Sequence, residues 1–293
     1  MDTEVSSVGK GMKNFFVITN VNKDSKLEVT ERIKSYLELK GAKCLVFSDD
    51  LSLCDMQCKT SIPKETECIL VLGGDGTMLQ AARENLNLDI PMIGINMGTK
   101  GYLTEIEVGN LNDALDCLLN DEYHIESRMM LNGVIHKSGQ EMPAMCALNE
   151  IAITRKGSLA VIHYNVYVNG KLLKVYSGDG IMVSTPTGST GYNLSAGGPI
   201  ASPQSELMLL TPICPHTFNT RTVILSPLDV VEIEIAHGRD GKPQEVEVNF
   251  DGNYKEILFS NDKVVIRKAQ ATTKIVKLSE ESFLEVLHSK MRD

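Results

Sequence analysis

The chain has 293 residues, of which 42% are hydrophobic and 23% are charged. This composition is typical of a globular protein, and the length favours about two domains of roughly 150 residues each. The 29 basic and 38 acidic side chains give a formal net charge of −9. That charge argues against a non-specific binder of nucleic acids or anionic membranes, because such surfaces are basic. It does not exclude an anionic small substrate, since backbone N–H groups and metal ions can hold phosphates.

The sequence indicates a cytoplasmic protein. No apolar run approaches the ~18 residues of a membrane-spanning helix, and the N-terminal segment lacks the apolar core of a signal peptide. The chain contains seven cysteines, and this odd number at irregular spacing favours cytosolic thiols over a disulfide framework. Cys54 and Cys58 are separated as in some zinc sites, but no second ligand pair follows at a suitable spacing. We therefore predict no metal-ligating cluster.

In the first half of the chain, strand-like segments alternate with helix-like segments. Short apolar runs predict strands, and apolar residues at helical spacing predict helices. The predicted strands are residues 14–19, 44–47, 68–72 and 91–96, and the predicted helices are residues 25–40, 78–85 and 110–120. This alternation predicts a parallel sheet that is covered on both faces.

The pattern becomes β-rich after residue 122. The predicted strands are residues 150–154, 161–168, 175–177, 181–184, 230–236, 245–250 and 263–268, and a short amphipathic helix is predicted for residues 280–291. The dipeptide Asn169-Gly170 is the strongest hairpin signal, because a type I′ turn needs positive φ at both central positions. We expect an α/β domain with a Rossmann-like parallel sheet over residues 1–122, a largely antiparallel β-rich domain over residues 123–270, and a tail over residues 271–293.

The sharpest local motif is Gly73-Gly74-Asp75-Gly76-Thr77, between a predicted strand and a predicted helix. Clustered glycines let the backbone approach a ligand and direct N–H groups at it, and the helix N-terminus adds partial positive charge. Such a loop suits a polyphosphate. It is neither a Walker A loop nor a G-x-G-x-x-G dinucleotide motif. The alternative is a plain tight turn.

Asp75 is the unusual member of this motif, because a carboxylate repels phosphate. It could bind Mg²⁺, or it could accept a proton from an attacking hydroxyl group. An aspartate in a turn is more often a turn-former, but here the glycines already supply that chemistry.

Three further segments are candidate ligand sites. Residues 178–199 contain a strand followed by hydroxyls, glycines and one aromatic residue, which suits a polar, flat ligand such as a nucleoside or, alternatively, a flexible surface loop. Residues 94–104 form a strand and a glycine-spaced loop that should open on the same sheet edge as Gly73. The dipeptide Asn149-Glu150 lies at the start of the β-rich half, and by itself it does not indicate a ligand site.

Together these motifs resemble the NAD kinase family, which transfers the terminal phosphate of ATP, or in some members of inorganic polyphosphate, to NAD. The resemblance also includes Pro215-His216-Thr217 with Arg221, and Asp251-Gly252-Asn253. The motif Gly-Gly-Asp-Gly-Thr alone is shared with lipid kinases, and phosphofructokinases carry a similar loop. Its combination with residues 184–199 is much more specific, and the motifs span most of the chain in the family's order.

The resemblance implies a role for each matching residue. Asp75 would be the general base that acts on the 2′-hydroxyl of the adenosine ribose of NAD. The other implied binding residues are those of the phosphate loop, of the Asn-Glu pair and of the β-rich domain: Gly74, Gly76, Thr77, Asn149, Glu150, Asp179, Thr187, Thr190, Gly191, Tyr192, Asn193, Leu194, Ser195 and Asn253. ATP and NAD are the implied substrates and Mg²⁺ the implied cofactor, with no protein metal ligands assigned. The resemblance further implies a homodimer or homotetramer and a chain end that returns to the first domain.

Three positions depart from the family's pattern. Gly191 stands where alanine is usual, which slightly enlarges the pocket. Ser177 stands where some members carry an arginine that contacts the ligand, so that contact is not carried over. Lys100 stands where a hydrophobic residue is common, and it either touches a phosphate or faces solvent, as lysines mostly do.

The glycine loop lacks a Walker lysine, so backbone amides and a metal ion must neutralise most of the donor's charge, with Arg221 or Lys100 as candidate helpers. Two other classes compete with the NAD kinase prediction: a lipid or sugar kinase with the same loop, and a non-catalytic dinucleotide-binding regulator. The net charge speaks against a lipid kinase, and an intact Gly-Gly-Asp-Gly speaks against a regulator. The choice between ATP and polyphosphate, between NAD and NADH, and between dimer and tetramer stays open, as does feedback by NADP.

Overall fold

The computed structural model describes residues 11–47, 62–98, 101–157, 161–216, 220–278 and 282–290. The chain divides into two compact units: unit 1 holds the described residues up to Ser127 and from Lys274 onward, and unit 2 is Arg128–Thr273. The domain boundaries proposed after residues 122 and 270 stay predictions. Cys54, Cys58 and Lys100 lie outside the described residues.

Unit 1 begins with alternating strands and helices. They are β1 (Asn14–Thr19), α1 (Glu28–Leu39), β2 (Lys43–Phe47), β3 (Cys68–Gly73), α2 (Asp75–Glu84), β4 (Met92–Asn96), β5 (Thr104–Glu107) and α3 (Leu111–Leu119), with short 3₁₀ helices at Leu86–Leu88 and Val108–Asn110. These elements confirm the four predicted strands and the three predicted helices. Helix α2 begins three residues before the predicted start at residue 78, so Asp75, Gly76 and Thr77 form its first turn.

The strands of unit 1 form the predicted parallel sheet. Strand β1 lies between β2 and β3, and β3 pairs with β4, all in parallel. Strand β5 continues the sheet beyond β4, which gives the order β2-β1-β3-β4-β5. Every one of these strands therefore ends at the same edge of the sheet.

Helices cover both faces of this sheet, as predicted. Ile33 of α1 and Leu115 of α3 pack into one buried cluster with Leu70 and Ile93 of the sheet. Helix α2 lies on the other face. A Cβ added to Gly94, which follows Ile93 and therefore points the opposite way, would lie 3.0 Å from the sulfur of Met78.

Unit 2 is built almost entirely from strands. They are β6 (His124–Lys137), β7 (Gln140–Glu141), β8 (Met145–Ala147), β9 (Glu150–Arg155), β10 (Ile162–Val168), β11 (Lys171–Gly178), β12 (Gly180–Ser184), β13 (Met208–Ile213), β14 (Val223–Leu225), β15 (Val231–Ile235), β16 (Glu245–Phe250), β17 (Tyr254–Phe259) and β18 (Lys263–Lys277), with a 3₁₀ helix at Thr187–Thr190 and the one-turn helix α4 (Tyr192–Ser195).

Two antiparallel sheets carry the core of unit 2. One has the order β14-β13-β12-β9-β16-β17, and the other contains β11-β10-β15-β18 with β6 beside β18. Ile153 and Val183 of the first sheet and Tyr164 and Ile233 of the second belong to one buried cluster. Alternate residues of β15 and β16 are buried, as expected where one face of each strand packs on a core.

The hairpin signal at Asn169-Gly170 is confirmed. Strands β10 and β11 pair in antiparallel fashion, and the two turn residues have φ of 51° and 74°. The sequence did not predict β6, β13 or β17, and it ended β18 nine residues too early. Residues 129–131 of β6 are buried in succession, so this strand lacks the alternation on which a sequence-based prediction depends.

The end of the chain completes unit 1. Strand β18 reaches β4, where Ile275 pairs in parallel with Met92, and Val276 is fully buried in the cluster that contains Ile33. Lys277 and Glu105 form an ion pair, and Lys274 is paired with Asp89 at 2.6 Å. Helix α5 (Phe283–Lys290) follows, within the predicted segment 280–291.

The packing of α1 against the sheet predicts two opposite results within one helix. Leu37 is fully buried, whereas Leu39 is 83% exposed. We expect Leu37→Ala to lower the free energy of unfolding by about 2–5 kcal/mol, because it leaves a cavity, and Leu39→Ala to change it by less than about 0.5 kcal/mol. Urea unfolding followed by circular dichroism measures both. Equal effects would contradict the packing of this helix.

Candidate active site

The glycine-rich motif occupies the carboxyl end of β3, the central strand of unit 1. A Cβ added to Gly73 would lie 2.2 Å from Oγ1 of Thr77, so this position must be glycine for the turn to close. The amide of Asn20 donates to that same Oγ1 at 3.1 Å, which links the end of β1 to the end of β3. Gly73 and Thr77 therefore determine the shape of the loop.

Gly76 has a different environment. It lies exposed in the first turn of α2, and an added Cβ would have no atom of the described residues within 4 Å. Glycine inside a helix costs roughly 0.5–1 kcal/mol relative to alanine. Packing within the described chain does not explain this glycine, whereas close approach of a ligand to the backbone would.

Asp75 is held by the loop that follows β4. Its carboxylate accepts the backbone N–H of Tyr102 at 2.8 Å and that of Leu103 at 3.0 Å. A Cβ on Gly101 would lie 1.8 Å from Oδ1 of Asp75, so only glycine permits this approach. Because each carboxylate oxygen can accept two hydrogen bonds, each oxygen of Asp75 keeps capacity for a further donor.

The edge of unit 1 also carries a cation that the sequence motifs did not indicate. The ammonium nitrogen of Lys23, in the turn after β1, would lie 3.0 Å from a Cβ added to Gly74 and 3.6 Å from one added to Gly98. The only available signal for it was its place just after a predicted strand. Arg221, one of the predicted helpers, lies in unit 2, where it donates to the carbonyl of Thr220.

In unit 2, Asp251 organises the predicted Asn-Glu pair. Its carboxylate accepts three consecutive backbone N–H groups, those of Leu148 and Asn149 at 2.8 Å and that of Glu150 at 3.1 Å. Asp251 has φ of 50° and lies in the turn between β16 and β17. The carboxylate therefore holds Asn149 and Glu150 at the start of β9 from more than a hundred residues away in sequence.

Glu150 lies in an environment that disfavours its charged form. Burial raises the pKa of Glu150 to about 8, and the negative charge of Asp251 contributes in the same direction. The Oε2 atom of Glu150 is buried with no hydrogen-bond partner among the described residues, as are Oδ1 of Asn149 and Oγ1 of Thr187. Buried polar atoms are nearly always paired, so each of these three atoms can still accept a hydrogen bond from a ligand or from water.

The segment after β12 is packed rather than flexible. Gly188 lies so close to the Asn-Glu pair that an added Cβ would be 2.3 Å from the carbonyl oxygen of Asn149. The side chain of Asn193 is fully buried; its amide donates to the carbonyls of Ser189 and Pro199 and accepts from Thr211. Its side-chain groups are thus engaged within the segment, and its predicted contact with ligand stays a prediction.

The remaining predicted residues of the segment surround the Asn-Glu pair or face solvent. A Cβ on Gly191 would be 3.5 Å from the side-chain nitrogen Nδ2 of Asn149 and 3.8 Å from Oε2 of Glu150. The ring of Tyr192 is 41% exposed, and burial, followed by the charges of Cys214, Asp179 and Glu150, raises the pKa of Tyr192. Leu194 and Ser195 of α4 are exposed, and Thr190 is half-buried.

Asp179 and Asn253 complete the set of predicted residues. Asp179 is paired with Arg155 at 3.2 Å between Oδ1 and Nε, next to the start of β12. Asn253 is exposed in the same turn as Asp251. The structure therefore brings Asn149, Glu150, Thr187 and Gly191 together in unit 2, and Gly74, Asp75, Gly76 and Thr77 together in unit 1. Among the described residues no group of three or more His, Cys, Asp or Glu side chains could hold a metal ion.

Comparison with known proteins identifies both parts of the chain. Residues 53–123 match the family model of the ATP-NAD kinase N-terminal domain, and residues 148–278 match that of the ATP-NAD kinase C-terminal domain. An NAD kinase of Lachnoclostridium phytofermentans is 42% identical over 96% of this chain and 100% of its own length. An NAD kinase of Agathobacter rectalis is 46% identical over 96% of this chain and 99% of its own length.

Two solved structures share the fold. Yeast NADH kinase complexed with NADH matches with a TM-score of 0.82 and 21% identity, over 98% of this chain and 92% of its own. An NAD kinase from Archaeoglobus fulgidus in complex with ATP matches with a TM-score of 0.72 and 25% identity, over 96% of this chain and 99% of its own. The predicted two-domain fold is therefore confirmed.

The fold and these matches define a phosphotransferase. The chain belongs to the NAD kinase family. The lipid-kinase, sugar-kinase and regulator alternatives are not favoured by these relatives. Of the described residues, no helix is both long and apolar enough to cross a membrane.

The buried Glu150 predicts how stability depends on pH. An acid whose pKa is raised in the folded state to about 8 makes the protein most stable at low pH, and this contribution is lost as pH rises from the unfolded-state pKa to the folded-state pKa. Glu150→Gln keeps the shape without the charge. We expect it to stabilise the protein by about 2–4 kcal/mol at pH 9 and to have little effect at pH 4.

Urea unfolding of both proteins at pH 4, 6, 8 and 9 tests this expectation. Glu141→Gln, on the exposed strand β7, is the matched control and should leave the pH profile unchanged. If the profiles of wild type and Glu150→Gln run parallel, Glu150 is not a neutral buried acid in the folded protein.

Proposed function

We propose that this chain is an NAD kinase that transfers the terminal phosphate of ATP to the 2′-hydroxyl of the adenosine ribose of NAD, giving NADP. Two observations support the proposal together. The chain is similar to NAD kinases over 96% of its length, and the Asp75 carboxylate is fixed at the end of the central strand. ATP is the expected donor because the similar Archaeoglobus fulgidus enzyme was solved in complex with it; inorganic polyphosphate is the second candidate.

Asp75 is proposed as the general base. A ribose hydroxyl is a poor nucleophile, and a carboxylate within hydrogen-bond reach can take its proton as the attack proceeds. The amides of Tyr102 and Leu103 fix the orientation of the Asp75 carboxylate. Their two hydrogen bonds leave one acceptor position on each oxygen for the hydroxyl proton.

The glycine-rich loop is proposed to bind the phosphates of the donor. Gly74 precedes α2 in an extended conformation, and the first N–H groups of a helix have no partner within it. These groups and the helix dipole favour an anion at this end. The open space over Gly76 lets a phosphate approach the backbone, and Thr77 packs against Gly73 within the turn.

We propose that NAD is held in unit 2 by the Asn-Glu pair and the segment after β12. The three unpartnered buried oxygens, on Asn149, Glu150 and Thr187, are the expected points of contact with hydroxyl or amine groups of the dinucleotide. A protonated Glu150 can donate as well as accept a hydrogen bond. The half-exposed ring of Tyr192 offers a flat surface for stacking. The predicted contacts of Asp179, Thr190, Leu194, Ser195 and Asn253 belong to this proposal.

Mg²⁺ is proposed to enter with the donor. This ion is usually held by substrate phosphates and by one or two carboxylates rather than by a protein cage. When bound, Mg²⁺ neutralises charge on the transferring phosphate. We further propose a cytoplasmic homodimer or homotetramer.

The proposed role of Asp75 predicts a selective loss of turnover. We expect Asp75→Asn to lower kcat by about 10²- to 10⁴-fold, the range for losing a general base. NADP formed from NAD, ATP and Mg²⁺ is measured with an NADP-specific dehydrogenase, and a parallel assay replaces ATP by polyphosphate. Asp113→Asn, on an exposed acid of α3, is the control and should retain full activity.

Binding measurements separate the possible roles of this carboxylate. The dissociation constants for NAD and ATP and the melting temperature should be close to those of wild type. A loss of only a few-fold in kcat would contradict the base assignment. A folded variant that no longer binds NAD would assign Asp75 to binding instead.

A further inference from the structure

We infer that Lys23 is the cation that binds the phosphate chain of the donor, in the place that a Walker lysine fills in other phosphotransferases. This inference rests on the proposed function of unit 1 as the donor-binding part. Lys23 lies outside both ranges that match the family models, and no motif of the sequence analysis contains it.

The strand order of unit 1 identifies where a ligand should bind. After β1 the chain turns outward to β2 through α1 on one face, and after β3 it turns the other way to β4 through α2 on the opposite face. In a doubly wound sheet of this order, the two connections diverge between β1 and β3, and ligands bind in the crevice beyond the strand ends there. The turn after β1 and the glycine motif after β3 are the two sides of this crevice.

The turn that carries Lys23 is firmly anchored. The N–H of Asn20 donates to the carbonyl of Leu72 at 2.9 Å, and the Asn20 side chain reaches Thr77. On the other side, Asp24 is buried and accepts the N–H and hydroxyl of Thr30 at 2.9 and 2.8 Å. The N–H of Lys23 itself donates to the carbonyl of Asn20. The backbone position from which the Lys23 side chain reaches the crevice is therefore fixed.

The ammonium of Lys23 lies next to two glycines. It faces Gly74, before α2, and Gly98, after β4, at 3.0 and 3.6 Å from the positions that their Cβ atoms would occupy. A Cβ at Gly74 would make a tight contact with the ammonium, whereas a Cβ at Gly98 would make an ordinary van der Waals contact. The ammonium thus lies beside the backbone amides that the proposed function assigns to phosphate, close to the ends of three adjacent strands.

The charge of Lys23 is also unused within the described residues. No carboxylate there lies within 4.0 Å of its ammonium, whereas Lys26 in the same turn is 3.9 Å from Glu28 and Lys40 is 2.8 Å from Asp116. A polyphosphate next to the Asp75 carboxylate needs a cation to offset the repulsion. Lys23 can supply this cation through a charged hydrogen bond to the phosphate. A lysine ammonium acts as a point charge, so it can bind the phosphates of either ATP or polyphosphate.

The test compares Lys23→Met with Lys23→Arg and with the control Lys26→Met. We expect Lys23→Met to lower kcat/KM for ATP by about 10- to 100-fold, the usual loss for one hydrogen bond between charged groups. The KM for NAD and the melting temperature should stay at wild-type values. Lys23→Arg should restore most of the loss, because it restores the charge, and Lys26→Met should behave as wild type.

Two kinetic outcomes would overturn the inference. One is a change of less than about threefold in kcat/KM for ATP upon Lys23→Met, a difference below about 0.7 kcal/mol. The other is an equal loss for ATP and NAD together with a lower melting temperature and no rescue by arginine. That second pattern would assign Lys23 to the structure of the turn.

A binding experiment keeps the inference separate from the proposed function. If wild type forms no NADP, the proposed function fails, and calorimetry with inorganic tripolyphosphate then decides the role of Lys23. Binding by wild type that weakens at least tenfold in Lys23→Met supports a phosphate site on its own. Equal binding by the two proteins, or no binding by wild type, overturns the inference.

Discussion

The order of the parallel strands is the constraint on which unit 1 depends. Because β1 and β3 are neighbours but are followed by helices on opposite faces, the two connections diverge at their carboxyl ends, where sheets of this order bind ligands. Chain segments that are far apart in sequence then meet at one edge: the turn after β1, the glycine motif after β3 and the loop after β4. Asp75 joins the last two through the amides of Tyr102 and Leu103.

Unit 2 relies on a different device, the concentration of hydrogen bonds on one buried carboxylate. Asp251 accepts three consecutive N–H groups, and hydrogen bonds of this kind favour its charged form. The same negative charge, together with burial, disfavours a charge on Glu150. Two neighbouring acids thus have different surroundings, because the carboxylate of Asp251 accepts three backbone N–H groups whereas Oε2 of Glu150 has no hydrogen-bond partner among the described residues. Asp251 fixes the backbone of the Asn-Glu pair, and the raised pKa of Glu150 favours its protonated form.

The sequence predicted the features that are local along the chain. Consecutive glycines mark the turn between β3 and α2, and Asn169-Gly170 marks a hairpin because few residues adopt positive φ. Two features that depend on distant parts of the chain were missed. The approach of Lys23 to Gly74 requires the strand order, and the bonds from Asp251 to residues 148–150 connect positions about a hundred residues apart.

The predicted elements show the same division. Strand β16, with alternate residues buried, was found with its observed bounds, whereas β6 was missed because Met129, Met130 and Leu131 are all buried. Helix α2 begins earlier than its apolar pattern indicates because Asp75 and Gly76 form its first turn. Apolar periodicity reports the packed part of a helix, and the half-buried Asp75 and the exposed Gly76 lie outside that part.

The return of the chain to unit 1 has a consequence for synthesis in the cell. On one side, Met92 is paired with Ile69 of β3, but its pairing with Ile275 and the burial of Val276 in unit 1 need residues made after unit 2. The ribosome makes the first five strands early, but it must complete all of unit 2 before those residues emerge. Domains usually fold as units, with the N-terminal one first; here the first-made domain would be finished last. Until those residues emerge, Met92 of β4 lacks its pairing with Ile275, and the cluster around Ile33 lacks Val276.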